Sequence, residues 1–288
     1  MDGAIFPRAL LPGVALCLVS TRDHVLSTVA ARHCAALCRF GQTFYLSDRP
    51  WNLPDFTFHR VAPFQSVRDY DRTVLTGLLD HLETPFVLVA QADGFVCDPA
   101  CWDEAFLNYD YIGAPWPQFA THAVGNGGFS LRSRRLLTAL RDMGAEAGEM
   151  AEDVAIARLW RPVLEAEYGI RFAPVALARR FSQEADLDGR ASFGVHGIYH
   201  LHRLYPGADV AFLLRHLAPE HLDGWRIIVL AAQYLQAGAA EAAALVLAAA
   251  RRHQALAAID ATLLRLGVPE EMAADLLALA ASRQAALA

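Results

Sequence analysis

Short apolar runs alternate with stretches of helical periodicity near the start of the chain, and no other feature constrains the fold as strongly. The predicted strands are residues 14–20, 43–47, 56–61 and 86–91, and helices are predicted at about 23–39, 69–82, 133–142 and 151–167. This alternation is typical of a mostly parallel α/β sheet flanked by helices. Ligands of such sheets bind beyond the carboxyl ends of the strands. We therefore expect Ser20–Arg22 and Gln91–Asp93 to lie on one edge of the sheet.

The sequence changes character after Tyr205-Pro206-Gly207. Residues 209–288 are rich in Ala and Leu and show no strand pattern. Residues 231–243 resemble one helical hairpin of the tetratricopeptide type, and a single hairpin is too little for a stacked array. The sequence thus predicts an α/β domain at 1–206 and an all-α appendage at 207–288, which packs on the domain, contacts a partner or forms a homo-oligomer.

The composition is that of a globular protein, because 55% of the residues are hydrophobic and 19% are charged. The net charge of −6 argues against a nucleic-acid binder, whose footprint is a basic patch. No apolar run reaches the roughly 18 uncharged residues that span a bilayer. A signal-peptide pattern is also lacking, so we expect a cytoplasmic protein. The five cysteines lack the close pairs of a zinc site, and we expect them to pack as thiols.

Asp93 follows the most apolar of the predicted strands. A carboxylate at that point can hold Mg²⁺ or Mn²⁺, and the metal can then neutralise a diphosphate. The alternative is a simple turn, because Asp-Gly is a common turn dipeptide. His196 is the best candidate for a second metal ligand, since imidazole suits Mn²⁺. A structural, hydrogen-bonded histidine is the competing interpretation, and it also applies to His200 and His202, which we expect to flank a strand.

A glycine-rich segment, Gly125-Asn126-Gly127-Gly128, follows an aromatic-rich one. Glycines allow positive φ and let the backbone approach a ligand closely. Asn-Gly is equally a strong signal for a tight hairpin. Both a phosphate-binding loop and a GxGxxG motif are absent, so kinase-like and dinucleotide-binding chemistry is not supported. Four aromatic residues can line an acceptor pocket or pack in the core: Tyr109, Tyr111, Trp116 and Phe129.

The acidic pair Glu152-Asp153 opens a predicted helix. Acidic residues stabilise a helix N-terminus through the macrodipole, so simple capping explains the pair. A carboxylate can also act as a general base that removes a proton from an acceptor hydroxyl. The residues alone leave both interpretations open.

Together these motifs resemble a bacterial and fungal family of glycosyltransferase-like domains of unknown function. They are also similar, more distantly, to the GT-A-fold glycosyltransferases, including the beta-1,4-galactosyltransferases. The resemblance covers about residues 14–203 and rests on five segments: Gln91–Asp93, Tyr109–Trp116, Val124–Arg132, Glu152–Val154 and Phe193–Gly197. It implies a GT-A-like, Rossmann-like domain that binds a nucleotide-sugar donor and a hydroxyl-bearing acceptor such as a glycan, a protein or a small molecule.

The resemblance also implies roles for individual residues. Asp93 takes the place of the last Asp of the Asp-x-Asp motif, whereas Gln91 replaces the first one. His196 becomes the late metal ligand for Mn²⁺ or Mg²⁺. Asp153, or failing that Glu152, becomes the catalytic base of an inverting reaction. The remaining donor-binding positions are Val19, Ser20 and Thr21 at the first strand's end, together with Gly127 and Gly128.

The prediction is therefore a metal-dependent glycosyltransferase. Two alternatives come from other classes of protein. The replacement of an acidic residue by Gln91 is compatible with a domain that binds nucleotide-sugars without turnover. The helical tail is compatible with an interaction protein whose α/β part is a scaffold. A nucleotidyltransferase is a third option, although Asp93 is not accompanied by a basic phosphate-binding motif.

Overall fold

Six strands form the main sheet of the computed structural model, which describes residues 8–283. The strand order is β3-β2-β1-β4-β7-β6. The strands are β1 (Ala9–Val19), β2 (Cys38–Ser47), β3 (Thr57–Arg60), β4 (Phe86–Ala90), β6 (Tyr111–Ile112) and β7 (Phe129–Ser133). Neighbours among β1 to β4 are parallel, and β7 is antiparallel to both β4 and β6. The predicted mostly parallel α/β sheet is confirmed.

The buried strands explain the continuous apolar runs of the sequence. Ala15, Cys17 and Val19 of β1 point into one core cluster, and the intervening Leu16 and Leu18 are equally buried. Both faces of a parallel strand are covered in this kind of sheet, so alternation between apolar and polar residues is lost.

Helices flank the sheet, and their bounds differ from the predicted ones at several points. The helices of this part of the chain are α1 (His24–Leu37), α2 (Val67–Leu75), α3 (Arg134–Asp142), α4 (Glu152–Val154), α5 (Arg161–Tyr168) and α6 (Val175–Phe181). The single helix predicted at 69–82 is wrong, because α2 ends at Leu75 and a separate 3₁₀ turn spans Gly77–Asp80. A π-helical segment, Ala155–Leu159, likewise divides the helix predicted at 151–167.

A small second sheet brings a late segment of the chain to the end of β4. It contains β5 (Gly94–Val96), β8 (Ser182–Gln183) and β9 (Gly194–His196) in the order β5-β9-β8. Gly94 pairs with His196 in antiparallel register. Because Gly94 directly follows Asp93, this pairing carries His196 to the neighbourhood of Asp93.

The chain divides into two units between His196 and Gly197, ten residues before the predicted boundary at 206. The second unit is helical throughout its described part, as predicted. Its main helices are α7 (Val210–His216), α8 (Trp225–Gln236), α9 (Ala240–Ala250), α10 (Leu256–Arg265) and α11 (Glu270–Arg283). The strand expected beside His200 and His202 is wrong, because both residues lie in a 3₁₀ helix, Ile198–Arg203. Within residues 8–283 no helix has the length and apolar character needed to cross a membrane.

Candidate active site at the carboxyl edge of the sheet

The carboxyl ends of β1 and β4 lie side by side, since Leu18 pairs with Ala90 in parallel register. Residues 20–22 and 91–93 therefore follow neighbouring strands at one edge, as expected. The antiparallel β7 starts at this same edge, because Phe129 pairs with Ala90. The glycine-rich segment before β7 thus lies beside residues 91–93.

Asp93, His196 and Gln91 meet at this edge. The Nε2 atom of His196 is 3.5 Å from Oδ1 of Asp93 and 3.2 Å from Oε1 of Gln91. The side chains of His196 and Asp93 are 17% and 22% exposed, so the group is reachable from solvent. Gln91 is fixed from its other end, where its Nε2 donates a hydrogen bond to the Tyr70 hydroxyl at 2.6 Å.

Carboxylates surround the imidazole of His196. Its Nδ1 atom is 3.7 Å from Oε1 of Glu184. Burial alone would lower the pKa of His196, but the charges of Asp93, Glu184 and Asp153 outweigh it and raise the pKa to about 9. A protonated imidazole donates from both nitrogens. The Asn126 amide lies 3.0 Å from Nδ1, and its Oδ1, otherwise buried without a partner among the described residues, is a suitable acceptor once the amide is turned over.

The glycines of the segment before β7 allow close packing of other side chains. The positive φ predicted for them is wrong. Gly125, Gly127 and Gly128 are absent from the glycines with positive φ, and the segment leads into a strand instead of a tight hairpin. A Cβ on Gly128 would lie 2.1 Å from Nε2 of His196, and one on Gly127 would lie 2.4 Å from Oε1 of Glu152. Contacts under 3.0 Å do not occur for real Cβ atoms, so only glycine leaves room for these side chains.

Asp153 is half-buried and held by the backbone. Its Oδ2 accepts the Gly127 N–H at 2.9 Å, and its Oδ1 accepts the Val154 N–H at 2.7 Å. Burial raises the pKa of Asp153 above its ordinary value, although both hydrogen bonds act in the opposite direction. A fixed carboxylate with a raised pKa is a suitable general base.

Glu152 has a different environment. Its side chain is fully enclosed, and its Oε1 accepts a hydrogen bond at 2.9 Å from Arg132, whose own side chain is 0% exposed. Burial raises the pKa of Glu152 to about 7 even though the Arg132 charge acts to lower it. This geometry favours an internal ion pair for Glu152 and leaves Asp153 as the better candidate base.

Glu152 gives a testable pH dependence of stability. The folded-state pKa of Glu152, about 7, lies above the ordinary value of 4.5. The contribution of Glu152 to the free energy of unfolding is therefore present below pH 4.5 and is lost as the pH rises through 7. We expect urea unfolding to show a smaller loss in Glu152→Gln than in the wild type, because the neutral amide does not titrate, whereas Asp71 and His196, whose pKa values are also raised, still do. Glu146→Gln, at an exposed position, should keep the wild-type profile. Parallel profiles for the wild type and Glu152→Gln would contradict the assignment.

The expected nucleotide-binding residues at the end of β1 lie on the same edge, but two of them already have partners. Ser20 Oγ accepts the backbone N–H groups of Arg22 and Asp23 at 3.2 and 3.0 Å. Thr21 Oγ1 accepts the N–H of Phe64 at 3.0 Å. The Val19 side chain is buried, so only the backbone of this residue can face a ligand.

Three of the four predicted pocket aromatics pack in the core. Tyr111 and Phe129 are 0% exposed, and Phe129 contacts the rings of Phe181 and Phe193. Trp116 is buried over Gly125, where any Cβ would overlap its ring. The acceptor-pocket interpretation is therefore not supported for these three residues.

Sequence reasoning assigned no role of their own to several polar residues in or beside the site. They are the buried or half-buried polar residues Tyr70, Asp71, Asn126, Arg132 and Glu184. Tyr70 and Asp71 lie on α2, which was predicted only as a helix. The one available signal was Arg132, a charged residue inside an apolar strand pattern. A side chain of that kind is buried only when it is paired.

A concavity of about 640 Å³ lies at the opposite edge of the sheet, beside the start of β4 and the end of β7. Its lining includes Phe86, Ser133, Arg135 and Tyr168. Arg135 is engaged there, with Nη2 3.4 Å from Oδ2 of Asp110. This concavity is distinct from the cluster at the carboxyl edge, where ligands of parallel sheets bind.

The polar cluster at the carboxyl edge contains side chains that could hold a divalent cation, Asp93 and His196. Within residues 8–283 no group of three His, Cys, Asp or Glu side chains could hold a metal ion, so a cation beside Asp93 and His196 would need further ligands. The amide oxygen of Gln91 is a third donor. Mg²⁺ is often held by one or two carboxylates plus substrate phosphates and water, and Mn²⁺ accepts imidazole.

Comparison with known proteins finds a distantly similar solved structure and a match to one family model. None of the curated proteins matches the chain at a significant level. Among solved structures, the chain is similar to the crystal structure of a glycosyltransferase involved in the glycosylation of the major capsid of PBCV-1. The identity is 10%, the alignment covers 64% of this chain and 91% of that chain, and the TM-score is 0.44. Residues 55–196 match the model of a family described as protein of unknown function (DUF5672). The matched segment runs from just before β3 to His196 and contains Asp93 and the Glu152-Asp153 pair.

Proposed function

We propose that the chain is a glycosyltransferase that moves a sugar from a nucleotide-sugar donor to a hydroxyl acceptor. The observation that carries the proposal is the polar cluster at the carboxyl edge of the parallel sheet. There His196 lies 3.5 Å from Asp93, and the adjacent Gly127 and Gly128 pack against Asp153 and His196, respectively. This proximity of the early aspartate, the late histidine and the acidic pair supports the proposal. The motif resemblance to GT-A-fold enzymes supports the same reaction, and a closer likeness to the beta-1,4-galactosyltransferases rests on these motifs alone.

Asp153 is proposed as the base. In the reaction the acceptor oxygen forms a bond to the anomeric carbon while the bond from that carbon to the diphosphate oxygen breaks. The acceptor proton goes to Asp153, and the departing nucleoside diphosphate keeps the electron pair. Gly127 and Val154 hold the carboxylate through their N–H groups, so its orientation is set before substrate binds. Attack from the side opposite the leaving group inverts the anomeric centre.

Asp93 and His196 are proposed to hold Mn²⁺ or Mg²⁺, with Gln91 as a further oxygen donor. His196 would lose its Nε2 proton when the cation binds, because only the neutral imidazole is a ligand. A bound cation would supply charge stabilisation for the leaving diphosphate. Gln91 is oriented for this by Tyr70, which accepts the hydrogen bond from its amide nitrogen. Asp93 carries the negative charge of the trio, so most of the attraction for a cation depends on it.

A second candidate function is donor binding without turnover. The observation that favours it is the neutral Gln91, which stands where the Asp-x-Asp motif has a carboxylate and is hydrogen-bonded to Tyr70. A site with one carboxylate fewer binds a divalent cation less tightly. Release of nucleoside diphosphate distinguishes the two functions. A protein that only binds the donor is stabilised by it but releases no nucleoside diphosphate.

The experiment is a thermal-shift screen of nucleotide-sugars with and without Mn²⁺, followed by detection of released nucleoside diphosphate. A ligand at about 100 times its Kd should stabilise the wild type by about 2.7 kcal/mol. We expect Asp93→Ala to lose the Mn²⁺-dependent part of the shift and Asp142→Ala, an exposed control, to keep it. A full Mn²⁺-dependent shift in Asp93→Ala would contradict the metal assignment. The absence of any shift and of any released diphosphate across the panel would contradict the function.

A further inference from the structure

Ser130 is a fully buried serine of β7 whose hydroxyl points in a fixed direction. It lies on the same face of the strand as Arg132, because side chains two residues apart in a strand share a face. The Nε atom of Arg132 donates a hydrogen bond to Ser130 Oγ at 3.0 Å. A guanidinium can only donate, so the hydroxyl accepts in that contact. Its own proton is then donated to the Gly127 carbonyl, at 2.9 Å.

Gly127, whose carbonyl Ser130 holds, lies just before β7 and outside the strands and helices. Glycine has the least restricted backbone of all residues, so its peptide groups need partners that fix them. Side chains are those partners: Ser130 binds the carbonyl, and Asp153 Oδ2 accepts the N–H at 2.9 Å. Nη2 of Arg132 also approaches the carbonyl, but at 3.4 Å. The Ser130 hydroxyl is therefore the closer of the two donors that hold this carbonyl.

The hydrogen bonds form a closed ring around the proposed base. Arg132 binds Ser130, Ser130 binds the Gly127 carbonyl, and the Gly127 N–H binds the Asp153 carboxylate. Glu152, the neighbour of Asp153 in the chain, closes the ring, because its Oε1 accepts from Nη2 of Arg132 at 2.9 Å. Loss of the Ser130 hydroxyl opens the ring on the side of the Asp153 carboxylate and leaves the ion pair between Arg132 and Glu152 in place. The expected result is a displaced Asp153 carboxylate in a domain that still folds.

We propose that Ser130 is a positioning residue, which holds Gly127 so that the Gly127 N–H orients the Asp153 carboxylate toward the acceptor hydroxyl. The inference rests on the proposed function, since it assigns the support of its base. Ser130 is buried and touches neither substrate nor reacting atoms in this assignment. Its contribution therefore concerns kcat, with little effect on the binding of the donor.

Two substitutions test the role of the hydroxyl, because Ser130→Ala removes it and Ser130→Thr keeps it. We expect Ser130→Ala to lower kcat by about 10- to 100-fold, because a displacement of about 1 Å can cost 10²-fold. The KM for the donor should stay close to the wild-type value, and Ser130→Thr should recover most of the lost kcat. Amide hydrogen exchange at Gly127 should be slow in the wild type and faster in Ser130→Ala.

Ser133→Ala is the matched control. Ser133 is another buried serine of β7, and its hydroxyl donates to Asp110 Oδ1 at 2.7 Å near the opposite edge of the sheet. Its loss should lower the free energy of unfolding but leave both kcat and the exchange at Gly127 unchanged.

The outcomes distinguish the positioning role from the proposed function. Fast exchange at Gly127 in the wild type, unchanged exchange in Ser130→Ala, or an equal loss of kcat in Ser133→Ala would overturn the positioning role. A folded Ser130→Thr variant that is as slow as Ser130→Ala would do the same. A wild-type protein without turnover overturns the proposed function and the positioning role with it. An active wild type whose Ser130→Ala variant keeps full kcat overturns only the positioning role.

Discussion

Asp153→Asn is expected to abolish sugar transfer while leaving donor binding intact. A positioned general base contributes about 10²–10⁴-fold to the rate, and the amide cannot accept the acceptor proton. The amide oxygen can still accept one of the two backbone hydrogen bonds that hold Asp153, so the turn should keep its place. The measurement is kcat from released nucleoside diphosphate, with donor affinity from the Mn²⁺-dependent thermal shift.

The control is Asp142→Asn, an exposed residue at the end of α3, which should keep the wild-type kcat. The pH dependence provides a second check on the same residue. Because burial raises the pKa of Asp153, the rate should fall on acidification at a pH above the ordinary carboxyl value of 3.8. A variant that transfers sugar at the wild-type rate would remove Asp153 from the mechanism and leave Glu152 as the remaining acidic candidate.

Arg132→Met is expected to be the most destabilising single change at the site. The Arg132 side chain is 0% exposed, and its removal leaves Glu152 buried without a cation. Removal of one partner from a buried ion pair typically costs about 3–5 kcal/mol. The free energy of unfolding from urea titration at pH 8 is the measurement, since most of the Glu152 population is ionised above its pKa of about 7.

Arg141→Met is the matched control for this change. Arg141 pairs with Asp80 at 2.9 Å on the surface, where the two side chains are 40% and 64% exposed. Exposed pairs of this kind contribute about 0–1 kcal/mol. The double variant Arg132→Met/Glu152→Leu should recover part of the loss, because replacing a whole buried pair by apolar residues is often nearly neutral. Equal losses for Arg132→Met and Arg141→Met would show that the buried pair is not important for stability.

Local patterns predicted the elements of the sheet well. The strand that ends at Ala90 was recognisable from five apolar residues in a row, and the carboxyl-edge rule placed Asp93 next to the end of β1. Such predictions succeed because periodicity reports which backbone segments are buried on two faces. The exact ends of helices were less predictable. Thr76 ends α2, and Gly77 starts a separate 3₁₀ turn directly after it.

The glycine-rich segment was recognised from the sequence, but its glycines are required for a different physical reason from the predicted one. Its glycines were expected to provide positive φ, yet Gly127 and Gly128 are not among the glycines with positive φ. The actual requirement is space for Glu152 and His196, which come from segments far along the chain. Crowding of this kind depends on tertiary neighbours and leaves no trace in the local sequence.

The sequence by itself determined a mostly parallel sheet and a helical C-terminal region, and it indicated Asp93, Glu152-Asp153 and His196 as candidate site residues. Only the tertiary structure decided how these residues are arranged. The antiparallel pairing of Gly94 with His196 brings the histidine to Asp93, and the register of β7 turns Arg132 toward Glu152. Helix α2, which carries the buried Asp71, lies next to the same turn. The reason is that secondary structure follows from local periodicity, whereas the pairing of buried charges follows from the register between segments that are distant in the chain.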